Sequence, residues 1–590
     1  MTARRRAARR SAAVVLCLIA AVGLSACTPS DLVAGSEVRI AVSAPLTSLN
    51  AASSHGRLSS TNAEVAALTG GVFGFRDARG ELVLDESFGS AEVFALDPLT
   101  VRYEIAPGVR WSDGTALDAV DLLLAWAGGS GALADPGSDD PDARYFDGAA
   151  TGGIEFATQT PHLGSEQVIF VHFDRYVPEW QTALAPGVAA HALAVVALDL
   201  DAEASAADAK AAVRDAIRTR DPVALAALSE VWNHGLDLDP DGDAPAPDPT
   251  LWIASGPYVV DVLDDDGGVA LRANPEYDGD RRPAYETIRL RVVADPREAI
   301  DLVRSGEIDV AAPPLGPEVA EALTDLDGVR LEYGSQTRIE HLELQFDDAR
   351  HTSFDDPLVR EAFLLTVPRA ALVDELWGEL APGVEPLDSF VVGESTAAYT
   401  DVVTRNGSAR FGEPDLVEAA RLLAEAGETN PRVCILYDAE NPQRELAYTL
   451  IADSAASAGF RVSDCSRPDW ESALGVAGEY DAALFAWDTR ALGPDTIGAV
   501  FRSDSAVANL NRYANAEVDR LIERLETPLT SEERAAALAA IDAALWADAY
   551  GVPLFSYPTV ALVADAVGSV SPSPFAPGIA SNAWEWRPAP

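Results

Sequence analysis

The stretch DPLTVRYEIAPGVRWSDGTALDAVDLLLAW, Asp97 to Trp126, changes its periodicity twice. Val101, Tyr103 and Ile105 alternate with Arg102, Glu104 and Ala106, which predicts a strand with one buried face. Pro107-Gly108 and Trp111-Ser112-Asp113-Gly114 are turn sequences. Leu117, Val120, Leu124 and Ala127 then recur at helical spacing, and Asp118 and Asp121 stand where the positive end of a helix dipole favours anions. The stretch reads as a strand, a corner and a helix, with Trp111 available to plug the core behind the corner.

Outward from this corner the chain is long. Its 590 residues exceed what one small core can organise, so two or three domains are expected. Acidic residues number 93 against 43 basic ones, a net charge of -50. Such a chain lacks the basic surface that phosphate backbones require, so no nucleic-acid partner is expected. The first residues are processing signals. Arg4, Arg5, Arg6, Arg9 and Arg10 precede an apolar run from Ala12 to Leu24, the length of a signal peptide and short for a membrane span. Leu24-Ser25-Ala26-Cys27 resembles a bacterial lipobox, which implies cleavage after 26 and lipid on Cys27. A plain secretory signal with an incidental cysteine is the alternative. Residues 27–36 then form a tether. No later stretch is apolar enough to cross a bilayer.

Further along, Ile288–Val293, a helix opening at Asp295-Pro296-Arg297-Glu298, and Ile308–Ala311 form a βαβ unit. Thr530 and Glu533 form a capping box for a late helix, and Gly551–Phe555 is a final strand returning toward the start of the chain. Cys434 and Cys465 flank one predicted helix, and export permits a disulfide between them. Two buried thiols are the other possibility. Asp237–Asp248 partly matches a calcium loop but lacks its closing Glu and contains three prolines, so a solvated acidic loop is expected. No nucleophile elbow, phosphate loop, dinucleotide fingerprint or zinc spacing occurs. The expectation is a protein that is not an enzyme and uses no cofactor and no metal.

Several blocks in order carry a family resemblance: the segment around Cys27; Val109-Arg110-Trp111-Ser112-Asp113-Gly114-Thr115; Ser255-Gly256-Pro257-Tyr258; Asn274-Pro275-Glu276-Tyr277; Ala299–Asp309; Pro357–Ala362; Glu418–Gly427; and Tyr480–Trp487. Together they resemble the family 5 extracytoplasmic solute-binding proteins of ABC importers, the oligopeptide and dipeptide group. The resemblance implies an α/β fold of the two-lobed periplasmic-binding-protein type (type II, large class) with an extra domain in the N-terminal lobe. On it, lobe I is expected from residues 37–56, 176–285 and 550–590. The extra domain is expected from 57–175 and lobe II from 286–549. It also implies a monomer anchored by lipid on the outer face of the cell membrane. Its partners would be an oligopeptide or other small solute, held between the lobes, and the ABC permease subunits. A non-peptide solute such as an oligosaccharide or metal chelate, or a surface sensor without transport, are alternatives.

Peptide-binding relatives place an Asp three residues after a late-strand Trp, to meet the peptide's amino terminus. Here Trp487 is followed at that spacing by Arg490, with Asp488 displaced by two positions. Trp487, Asp488, Arg490, Phe73, Arg338 and His341 are the candidate ligand-binding residues. Core packing remains open for Trp487, and a solvent-facing position for Arg490.

Overall fold

The computed structural model describes residues 32–589 except 139, 141, 149–151, 202–203, 240–245, 324–325, 348 and 489–493. Cys27 and Arg490 lie outside the described residues, as does half of the acidic loop Asp237–Asp248. The strands of the first half are β1 (Val33–Val42), β2 (Gly74–Arg76), β3 (Leu82–Leu84), β4 (Gly89–Leu96), β5 (Leu99–Ile105), β6 (His162–Leu163), β7 (Val168–His172), β8 (Tyr258–Leu263) and β9 (Val269–Ala273). They are followed by β10 (Tyr285–Val292), β11 (Val310–Ala311), β12 (Val329–Leu344), β13 (Arg432–Leu436), β14 (Arg461–Asp464), β15 (Ala482–Asp488) and β16 (Gly551–Ala564).

On β5, Val101, Tyr103 and Ile105 are buried while Arg102 and Glu104 are only partly covered, the side-chain alternation of a strand with one packed face. Gly114 turns the corner at φ +85°, where a Cβ would be strained. Asp113 accepts hydrogen bonds from the Thr115 N–H and hydroxyl, both at 2.9 Å, and Trp111 is buried behind them. The helix Ala119–Gly129 starts on a capping box. The Asp118 carboxylate accepts from the Val120 N–H, and Asp121 accepts from the Asp118 N–H.

An antiparallel sheet in the order β4-β5-β7-β6 backs this corner. Its core does not stop at residue 175. The helices Ala190–Ala197, Ala206–Thr219 and Pro222–His234 bury their apolar sides on it, and one cluster runs from Phe73 to Leu251. The expected extra domain 57–175 is thus too short. The helices from 190 to 234, placed in lobe I by the sequence, share the extra domain's core because their apolar residues have that sheet to cover.

The main sheet has ten strands in the order β14-β13-β15-β12-β16-β11-β1-β10-β9-β8. β10 and β11 pair in parallel with β1. The βαβ unit expected in lobe II (286–549) therefore sits beside β1 instead, with its helix Pro296–Ser305 packed through Ala299, Ile300 and Val303. From Leu342 to Phe555 the second half has its own core of helices around β12, β13 and β15. The chain crosses between halves on β12 and returns on β16, which pair antiparallel along most of their length. Their register slips between Ser335 and Ile339, opposite Pro558 and Ser556. At the far edge, Cys434 on β13 is bonded to Cys465, just beyond β14, with Cα atoms 5.7 Å apart.

Candidate functional site

The slip between β12 and β16 opens a cavity of about 450 Å³. Ser335, Gln336, Thr337 and Arg338 line it from β12, Thr559 to Ala561 from β16, and Asp488 from the end of β15. Its remaining wall is the segment Pro572–Ile579, rich in proline and without strand or helix from 572 to 578.

Arg338 and Asp488 are register partners on antiparallel strands, so their side chains share a face. The Thr337 hydroxyl donates to the Asp488 carboxylate at 2.8 Å. The exposed Arg338 guanidinium lies 4.8 Å from the centre of the Tyr557 ring and makes no ion pair among the described residues. A guanidinium held over an aromatic face keeps its donors free for a carboxylate.

The other described candidates, Trp487, His341 and Phe73, fall elsewhere. Successive residues on a strand point to opposite faces. Trp487 therefore faces away from Asp488, and its ring lies tilted against His341 with centroids 3.9 Å apart, with Phe501 edge-on at 5.6 Å. His341 is fully buried between Trp487 and Phe485, with Nε2 3.8 Å from the Glu343 carboxylate. These two residues form the layer beneath the sheet, and neither lines the cavity. Phe73 is 2% exposed, packed against Phe88 and Tyr103 at 5.1 and 5.2 Å, in the core of the N-terminal sheet.

A second chamber of about 200 Å³ adjoins the first and shares Ala312, Pro577, Gly578 and Ile579 with it. It stands at the carboxyl ends of the parallel strands β1, β10 and β11, where Val42, Ser43, Val293, Ala294, Ala311 and Ala312 leave the sheet. This is where open α/β sheets place ligands. Ser60 and Pro296, first residues of the helices Ser60–Thr69 and Pro296–Ser305, face it as well.

Its one titratable lining residue, Glu64, did not figure among the sequence candidates. A signal existed: Thr61, Glu64, Val65 and Leu68 follow helical spacing, so the acid belongs to the buried stripe. The Pro572–Gly578 wall had no such signal. Among the described residues no cluster of three or more His, Cys, Asp or Glu is arranged to hold a metal ion.

Comparison with known proteins agrees on one group. The model of the bacterial extracellular solute-binding proteins, family 5, matches residues 94–509. An uncharacterized lipoprotein of Mycobacterium tuberculosis is 27% identical over 577 residues, covering 96% of each chain. A di/tripeptide-binding protein of Pseudomonas aeruginosa is 28% identical over 244 residues, 40% of this chain and 42% of that one. Among solved structures, a periplasmic EDTA-binding protein superposes with a TM-score of 0.68 at 20% identity, covering 94% of this chain and 97% of its own.

Proposed function

The chain belongs to the bacterial extracellular solute-binding proteins of family 5, and from that membership we propose that it captures oligopeptides between its two halves and delivers them to an ABC importer. The fold is the α/β fold of type II periplasmic binding proteins. One arrangement carries the peptide reading. A polar cavity lies at the strand crossover, with Arg338 making no ion pair among the described residues and Asp488 beside it. A peptide offers a carboxylate to the first and amide donors to the second, and its backbone can bond to the polar residues Ser335 to Thr337. The name of the Pseudomonas relative supports this choice of solute.

Incubation with a mixture of two- to eight-residue peptides, followed by mass spectrometry of what stays bound, tests it. A defined set of retained peptides is expected. Arg338→Ala is expected to weaken retention about ten- to a hundred-fold, the worth of one charged hydrogen bond. Peptides carrying a C-terminal amide should be indifferent to the substitution. Retention of an oligosaccharide or metal chelate in place of peptides would overturn the reading, and so would an empty groove across all panels.

Anchorage is part of the proposal. The lipobox-like Leu24-Ser25-Ala26-Cys27, read as cleaved after residue 26, supports it, and the mycobacterial relative is itself named a lipoprotein. Cys27→Ser is expected to move the protein from the membrane fraction to the medium; continued sedimentation with membranes would remove the lipid anchor from the account.

A further inference from the structure

We propose that Glu64 is an anionic subsite of the groove, taking the positively charged group of the ligand, either an α-ammonium or a basic side chain. The inference rests on the reading of the groove as the ligand site and names the chemistry at one end of it.

Glu64 is 5% exposed, on the inward face of the helix Ser60–Thr69. Among the described residues one hydrogen-bond donor reaches it, the Ala580 N–H at 2.8 Å. Among the described residues no cation pairs with it, and nothing else lining the 200 Å³ chamber titrates. Gly578 closes its other side so tightly that a Cβ there would stand 2.2 Å from the Glu64 carboxylate. The carboxylate is thereby fixed in place at the chamber wall. Burial pushes its pKa up to about 7, against the opposing pull of the Ala580 hydrogen bond.

A buried acid with one hydrogen bond and no counter-charge is a poor structural element, since an apolar residue would fill the same wall at less cost. Its position explains it better. The chamber adjoins the larger one, so a ligand bound beside Arg338 can extend past Ala312 and Pro577 toward Glu64. When the groove is empty near neutral pH, the carboxyl holds its proton in part. On arrival of an ammonium or guanidinium the O–H bond breaks, the proton leaves to solvent, and the carboxylate pairs with the cation. Binding of a cationic ligand therefore releases protons and strengthens as pH rises from 6 to 8. Among the described residues no other titratable group lines the chamber: Asp295, Arg297 and Glu298 at the start of the helix Pro296–Ser305, and Glu585 at the end of the short helix Ile579–Glu585, belong to the packed elements and stay outside its wall.

Two probes test the proposal on the whole protein. The first is n-propylammonium against n-propanol, measured by calorimetry at pH 7 in buffers of different ionisation enthalpy. Wild type is expected to prefer the amine at least ten-fold and to release about half a proton per amine bound. Glu64→Gln, which keeps an acceptor for the Ala580 N–H and imitates the neutral carboxyl, is expected to lose both the preference and the release. If that variant fails to fold, proton release by wild type decides alone. Amine binding without proton release, or no preference for the amine, overturns the subsite. The second probe is a tripeptide mixture with free or acetylated amines. Equal retention of the two overturns the subsite and leaves peptide binding in place. Proton-linked amine binding with no peptide retained keeps the subsite and removes the peptide reading.

Discussion

Replacing Arg444 by methionine is expected to lower the free energy of unfolding by about 3–5 kcal/mol, the cost of leaving a buried charge without its partner. Arg444, on the helix Pro442–Ala458, donates from Nε and Nη2 to both oxygens of Glu340 at 2.8 and 3.1 Å. Each side chain is 4% exposed. The Tyr557 hydroxyl donates to the same carboxylate at 2.7 Å, and the guanidinium also covers the Trp470 ring at 4.9 Å. Three elements meet on one carboxylate: β12, β16 and the helix. In Arg444→Met the methionine fills the stem's volume but Glu340 keeps only the tyrosine. Urea unfolding measures the loss. The double variant Glu340→Met/Arg444→Met is expected to recover much of it, because removing both charges also removes the desolvation cost. A single-variant loss under about 1 kcal/mol, the range of exposed ion pairs, would mean that water reaches the pair.

Removing the disulfide with Cys434→Ala/Cys465→Ala is expected to cost about 3–4 kcal/mol, from the entropy that a loop of this size regains in the unfolded chain. The two cysteines are 31 positions apart, and the loop between them contains the whole helix Pro442–Ala458. The native geometry needs no cross-link to persist. The Cys434 N–H donates to the buried Asp481 carboxylate at 2.7 Å, and the Cys465 N–H donates to the Ile435 carbonyl at 3.0 Å. The variant should therefore fold and unfold at lower urea. Reductant should lower the midpoint of the wild type alone. An unchanged midpoint in the variant would place the bond's effect outside the unfolded-chain entropy.

Local rules of the fold were legible in the sequence where a few residues decide an element. The Thr530–Glu533 capping box and the Asp295-Pro296 helix start are formed as read, and so is the corner at Trp111. Long-range partnership was less legible. The helices from 190 to 234 and the βαβ unit each carry an apolar face, but a face does not say which sheet it will cover. Parity marks the limit at the site. Trp487 and Asp488 could not both line one cavity, because neighbours on a strand point apart, yet only the assembled sheet shows which face is packed. Phe73, a ligand-binding candidate on the sequence, is packed under aromatic rings contributed by β5 and by Phe88. The wall at Pro572–Gly578 has no periodicity to read, and its neighbours on β12 lie more than 200 residues away.

The register slip on β12 and β16 also has a mechanical meaning. Two strands carry the backbone across the molecule at that level, and the ladder between them is interrupted over Gln336 to Arg338. A two-ply ribbon with a gap in its ladder flexes readily out of its plane. It resists sliding in its plane, because sliding would break the bonded registers on both sides of the gap. As an element between the halves the paired strands are softest out of their plane and stiffest within it, as a leaf spring is. The soft point of the spring is lined by the same residues that line the larger cavity. On the proposed function, a ligand seated there loads the spring directly, with no intervening relay of side chains.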